Sequence, residues 1–175
     1  MFGLLKRAKL EIAVVSGDLP GVKTAVSKGM DLNAPLHRDG ASALHLAIAH
    51  RHYHVAILLI ASGAGVNVQG PAGYTPLHVA ALHGNAEVAK ALIAKGADVD
   101  ARDANGGTPL HAAAQMDNAT VAETLIESGC DIEARMPTLE ANVTDSPLTP
   151  LFFARVKHNE TVAAVLCRHG AKDEV

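Results

Sequence analysis

With 175 residues, about half of them apolar and 19% charged, the chain has the size and makeup of one globular domain and not of a disordered segment. A net charge of −3 excludes the strongly basic balance of a dedicated nucleic-acid binder, and no apolar run approaches the ~18 residues that span a membrane. Two cysteines, Cys130 and Cys167, are too few for a disulfide framework and fit no zinc spacing, so the expected setting is a reducing one, the cytoplasm with the nucleus left open.

The chain opens with MFGLLKRAKL, whose apolar run is far too short for a signal peptide. A half-unit follows, SGDLPGVKTAVSKGMDLNA, in which Gly17 and Gly29 are spaced as Gly84 and Gly96 are later. Ser42-Ala43-Leu44-His45 starts the first full unit. Thr75-Pro76-Leu77-His78 and Thr108-Pro109-Leu110-His111 repeat it at steps of 33, and Thr149-Pro150-Leu151-Phe152 follows after 41. Gly63-Ala64, Gly96-Ala97, Gly129-Cys130 and Gly170-Ala171 keep the same steps.

Each unit has a local physical meaning. The Ser or Thr offers a hydroxyl to the free N–H groups of a helix start, and the proline after Thr sits where its missing N–H costs nothing. In the second full unit this predicts a first helix of about two turns ending near Gly84. A second helix is expected from Glu87 to Lys95, with Val88, Leu92 and Ile93 as its apolar stripe. The following glycine stops it in a left-handed conformation. One such pair cannot bury its stripe alone, so the units must stack.

The 33-residue period, the TPLHxAA helix start and the GADVxA turn together resemble the ankyrin repeat, over Leu10 to Asp173. The resemblance implies an all-α ankyrin-repeat solenoid of helix-turn-helix units with β-turn or hairpin tips. We divide the chain into an N-terminal capping repeat (4–36), three repeats (37–69, 70–102 and 103–135), an insertion (136–146) and a C-terminal repeat (144–175). The insertion should form a protruding finger, and Lys6, Arg7 and Lys9 of the cap should meet water.

The resemblance also implies a non-catalytic module that binds a partner protein or peptide on a concave groove, as adaptor, inhibitor or scaffold. Mapped by position, the tips offer Arg38, Asp39, Tyr74, Arg102, Asn105 and Arg135 to a partner. The first-helix row offers His50, Leu82, His83, Gln115, Met116, Val156 and Lys157. Tyr74, Leu82 and Met116 would form an apolar centre, rimmed by Arg102 and Arg135. Cations on this face outnumber Asp39 and Asp145, which suits an acidic partner. Neither nucleic acid nor membrane is expected as a partner, and a monomer is the default.

Catalytic signatures are absent: there is no P-loop, GxSxG elbow or HExxH. No cofactor and no metal ligand set is assigned. The run HRHYH, His50 to His54, invites a metal or pH-switch reading, and His50 and His83 should stack in adjacent repeats. Their different addresses favour the scaffold: His52 falls at the inter-helix turn occupied by Asn85 one unit later, and His54 near the start of a second helix. His45, His78 and His111 should hydrogen-bond the turn beside their cap. Cys130 and Cys167 are expected as small packed residues. Two other readings stay open: a regulatory or targeting portion of a larger protein, and a histidine-dependent metal- or pH-responsive scaffold.

Overall fold

The computed structural model describes residues 2–137 and 148–172. Among them lie five helix-turn-helix pairs: α1 (Phe2–Val15) with α2 (Leu19–Ser27), α3 (Ala43–Ala49) with α4 (Tyr53–Ala61), α5 (Pro76–His83) with α6 (Ala86–Ala94), α7 (Pro109–Gln115) with α8 (Ala119–Glu127), and α9 (Pro150–Val156) with α10 (Glu160–Arg168). The first helices of successive pairs pack on one another in one layer, and the second helices in another. The expected all-α solenoid is the observed one. No described helix is long and apolar enough to cross a membrane.

The core follows from the repeat register. Leu44, Leu77, Leu110 and Leu151 occupy one address in the first helices, and all are buried. Leu59, Leu92, Leu125 and Leu166 do the same in the second helices, beside Val55, Val88, Val121 and Val162. Each buried leucine withdraws enough apolar surface from water to contribute roughly 2–3 kcal/mol, and the rows join into one continuous core. Helix α6 begins one residue before the expected Glu87, because the Asn85 side chain accepts the Val88 N–H at 2.7 Å and caps the helix there.

The starts of α3, α5 and α7 are each tied to the next unit by a buried imidazole. His78 Nδ1 accepts the Thr75 backbone N–H at 3.2 Å and lies 2.9 Å from the Thr75 hydroxyl. Its Nε2 faces the Gly107 carbonyl at 3.1 Å. A carbonyl only accepts, so Nε2 carries the proton and Nδ1 is the acceptor. His45 makes the same set with Ser42 and the Tyr74 carbonyl at 2.9 Å, and His111 with Thr108 and the Leu148 carbonyl at 3.0 Å. The cap contact is the expected one; the bond to the following unit is an addition that the sequence pattern did not reveal.

The eight extra residues before the last unit leave this register intact. His111 still reaches the residue before the next cap, and the Met136 N–H donates to the Leu148 carbonyl at 3.1 Å, closing the base of the insertion. The expected finger itself, with Asp145, lies outside the described residues from 138 to 147. At the last unit Phe152 replaces the histidine, its N–H capped by Thr149 Oγ1 at 3.2 Å. Among the described residues no sixth helix pair follows to offer a carbonyl there.

A second kind of link runs backwards at the inter-helix turns. Asn118 Nδ2 donates to the Ala81 and Leu82 carbonyls at 2.7 and 3.1 Å, and Asn159 Nδ2 to the Ala114 carbonyl at 2.7 Å. His52 does this for the first units, its Nε2–H donating to the Val15 carbonyl at 2.9 Å. The residue before the start of each second helix's cap takes a left-handed backbone: Gly17, Arg51, Gly84, Asp117 and His158 all have φ between 54° and 71°. Glycine holds that conformation without strain, whereas Arg51 and His158 each carry roughly 1 kcal/mol of it. Asp117 recovers some of the strain, because its carboxylate accepts the Val162 N–H at 2.9 Å.

Two expectations follow. Arg51→Gly and His158→Gly should each raise stability by up to about 1 kcal/mol in urea unfolding, while Asp117→Gly, which also loses the Val162 bond, should not. The second concerns pH. Burial holds the His45, His78 and His111 imidazoles below their ordinary value of 6.5, so the unfolded chain binds more protons than the folded one under acid. Stability should therefore be complete above pH 6.5 and fall as the pH drops below it, with a limiting slope of about 4 kcal/mol per pH unit for three protons. Urea midpoints that stay flat between pH 7.5 and 5 would contradict this.

Candidate functional site

The first helices end in a common register that the packing of α3, α5, α7 and α9 sets side by side. Ala49, Leu82, Gln115 and Val156 hold one position of this row, and His50, His83, Met116 and Lys157 the next. Val156 and Met116 expose large apolar side chains, at 55% and 56%. Lys157 and His50 are also exposed, whereas Gln115 is half-buried. Leu82 and Tyr74 are half-buried and pack against the core. The exposed apolar pair of the row is thus Met116 with Val156 on adjacent units, whereas Tyr74 and Leu82, expected to form an apolar centre with Met116, are drawn onto the core instead.

Tyr74 has a specific reason to sink. It follows a single 3-10 turn, Pro71–Gly73, and its ring stacks on His78 with centroids 5.5 Å apart. The same turn lets neighbouring tips touch, since the Ala104 N–H donates to the Ala72 carbonyl at 2.9 Å. A Cβ on Gly73 would sit 2.7 Å from Ala104 N, and Gly73 has φ 75°, so only glycine fits there.

The tip residues are engaged in ladders of their own. Gln69 donates to the Arg102 carbonyl at 3.2 Å, and Arg102 Nη1 donates to the Arg135 carbonyl at 2.7 Å and the Gly106 carbonyl at 2.8 Å. Arg102 therefore clamps two units together besides presenting charge. Arg38, Asn105 and Arg135 are exposed on the tips. Asp39 is exposed beside His37 Nδ1 at 3.0 Å; the Ala41 N–H that its carboxylate accepts, and then His37, hold its pKa below the usual range. Asp103 braces a later tip in a similar way, accepting the Asn105 and Gly107 N–H groups at 2.8 and 2.9 Å.

The histidine run divides by role. His52 and His54 clasp the first unit, through the Val15 carbonyl and, at 3.3 Å, the Gly17 carbonyl. His50 stacks on His52 with ring centroids 6.3 Å apart. His83 departs from expectation: it is half-buried, and burial followed by the nearby Arg51 charge lowers its pKa, so the ring is neutral at pH 7. No three His, Cys, Asp or Glu side chains among the described residues stand where they could hold one metal ion.

The cysteines also separate. Cys130 is half-buried, and burial with Asp100 and Asp131 nearby pushes its thiol up to about 12. Cys167 corrects the expectation of a packed residue, for it is exposed, with Arg155 Nη2 at 3.7 Å from its sulfur. Its counterparts Ile60, Ile93 and Ile126 are buried or half-buried, but Cys167 belongs to the last described pair, over which no further described pair packs.

Comparison with known proteins accords with this geometry. A family model described as "Ankyrin repeats (many copies)" matches residues 10–60, and one described as "Ankyrin repeats (3 copies)" matches residues 58–136. The RelA-associated inhibitor of Mus musculus is 39% identical over 64 residues, which is 37% of this chain. The matched stretch spans only 8% of that relative's length.

The two thiols should differ in the folded chain. Cys167 should react with a maleimide within minutes at pH 7.5, and Cys130 only after unfolding in urea. Equal rates, read by mass spectrometry of the labelled peptides, would contradict the placement of both.

Proposed function

The chain belongs to the ankyrin-repeat family, and we propose that it acts as a non-catalytic module binding a partner protein along the row of first-helix ends. The observation that carries this reading is the pairing of exposed Met116 and Val156 on adjacent units, beside Lys157, on a scaffold whose buried polar groups are otherwise satisfied. Among the described residues no buried side-chain nitrogen or oxygen lacks a hydrogen-bond partner. Such a surface is ordered before a partner arrives, which keeps the entropic cost of association low. Methionine adapts to an irregular partner surface, and valine contributes rigid apolar area.

We take the partner's contact surface to be acidic and apolar, matching Lys157 beside that pair and the exposed Arg38 and Arg135 on the tips. Similarity to a protein named as an inhibitor supports a protein partner, and binding that occludes the partner is the form of action we favour. Two unpaired cysteines suit work in a reducing compartment such as the cytoplasm.

The test uses the whole chain as bait in lysate beside a Met116→Glu/Val156→Asp variant, with captured proteins identified by mass spectrometry. Both side chains are exposed, so the variant should keep the circular dichroism and urea midpoint of the parent. A partner held by the parent should be weakened at least tenfold by the variant, about 1.4 kcal/mol, and weakened further by salt. Partners held equally by both baits would remove the row as the binding site.

A further inference from the structure

The opposite end of the first-helix layer carries a second surface. Pairs α3/α4, α5/α6 and α7/α8 have a neighbouring pair on each side, but among the described elements α1/α2 is packed by α3 and α4 on one side only. Its other side forms a trough of about 600 Å³ between the two helices. Leu5 and Ile12 of α1 line it with Ala25 of α2 and Met30 beyond, and Leu5 and Ile12 are 59% and 68% exposed. Of the five large apolar side chains exposed among the described residues, three belong to α1. The hydroxyls of Ser16 and Thr24 in the lining bond carbonyls of their own helices, Ile12 at 2.7 Å and Pro20 at 2.9 Å. Polar recognition at the trough is therefore left to charge.

That charge is positive. Lys6, Lys9 and Lys28 line the trough against one carboxylate, Asp18. Residues 1–36 carry five Lys and Arg against three Asp and Glu, whereas the whole chain has 15 against 18. A basic, apolar face thus stands on an otherwise acidic chain.

Shape and charge select the occupant. A trough between two packed helices takes the ridge of a third helix. A flat bilayer would leave the recess unfilled, and a second copy of this face would bring two sets of lysines together. We propose that the α1/α2 trough docks an acidic amphipathic helix of a partner protein. Its aliphatic row lies on Leu5, Ile12 and Met30, and its flanking Asp and Glu residues meet Lys6, Lys9 and Lys28. This surface is separate from the Met116–Val156 row and stands or falls independently of it.

The experiment selects binders to the whole chain from a displayed library of 18-residue peptides. Aliphatic residues are fixed at i, i+3, i+4 and i+7, and the other positions vary over Asp, Glu, Lys, Arg, Ser and Ala. Selected peptides should be enriched in Asp and Glu beside the aliphatic row. By fluorescence polarisation they should lose at least tenfold in affinity against Ile12→Asp, and likewise against Lys6→Glu/Lys9→Glu, whose side chains are solvent-facing. Met116→Glu should leave their affinity unchanged. Neutral or basic winners, or affinities indifferent to both α1 variants, would overturn the proposal. So would two other results: dimerisation in sedimentation that Ile12→Asp abolishes, or co-sedimentation with phosphatidylserine vesicles in the absence of peptide binding.

Discussion

The buried imidazole at the third position of the first helices is the constraint on which the stack depends. A helix start has free N–H groups, and a solenoid has a further requirement, namely that each unit be held in register with the next. His45, His78 and His111 meet both at once, with Nδ1 turned to the cap and Nε2–H to the following unit's carbonyl. Since the two nitrogens serve different partners, only the neutral Nε2–H tautomer fits. An apolar replacement would leave the buried cap N–H unpaired, at about 1–3 kcal/mol, and would take from the following unit's carbonyl one of its two donors. Acid has a related effect, because a proton on Nδ1 would face the backbone N–H that it now accepts.

Around that link the remaining inter-unit bonds fall into the same register. Side chains at the inter-helix turns reach back to the preceding unit, and Gln69 and Arg102 reach forward along the tips. Every internal unit is therefore bonded to both neighbours by polar groups while its leucine and valine rows pack between them. The left-handed residues Arg51 and His158 show that this register outweighs local preference, since the turn keeps its shape even where the residue disfavours it. Rigidity built this way leaves little for a partner to order.

Function then belongs to what the scaffold does not consume. Arg102, Tyr74 and His52 all look like recognition residues by type, yet each spends its polar or aromatic group on a neighbouring unit or on the core. Met116, Val156 and Lys157 project from helix ends, as Leu5 and Ile12 project from α1. Two apolar surfaces result, one along the side of the solenoid and one at its end. They differ in form: the first is a row of side chains on successive units, the second a trough between two helices. Under the two proposals made above, the side would hold one partner protein and the end a helix of another.

The amino-acid sequence alone determined the repeat, the helix pairs and their caps, because these depend on residues close together in the chain: Thr-Pro at a start, an apolar stripe at helical spacing, a glycine at the stop. It also assigned the row from His50 to Lys157 its addresses, since the recurring cap motif marks each unit even where the step lengthens from 33 to 41. Exposure was not legible in the same way. Whether Tyr74 is a tip or a wedge depends on the turn before it and the ring of His78. Whether His83 meets water and whether Cys167 is packed depend on what lies against them one unit away, and a periodic pattern is silent about its own ends. The destination of each imidazole's second nitrogen, 29 or 37 residues ahead, and the trough beside α1 were decided only by the stacking. Backbone carbonyls carry no sequence signal, and a surface becomes a groove only when two helices have been brought together.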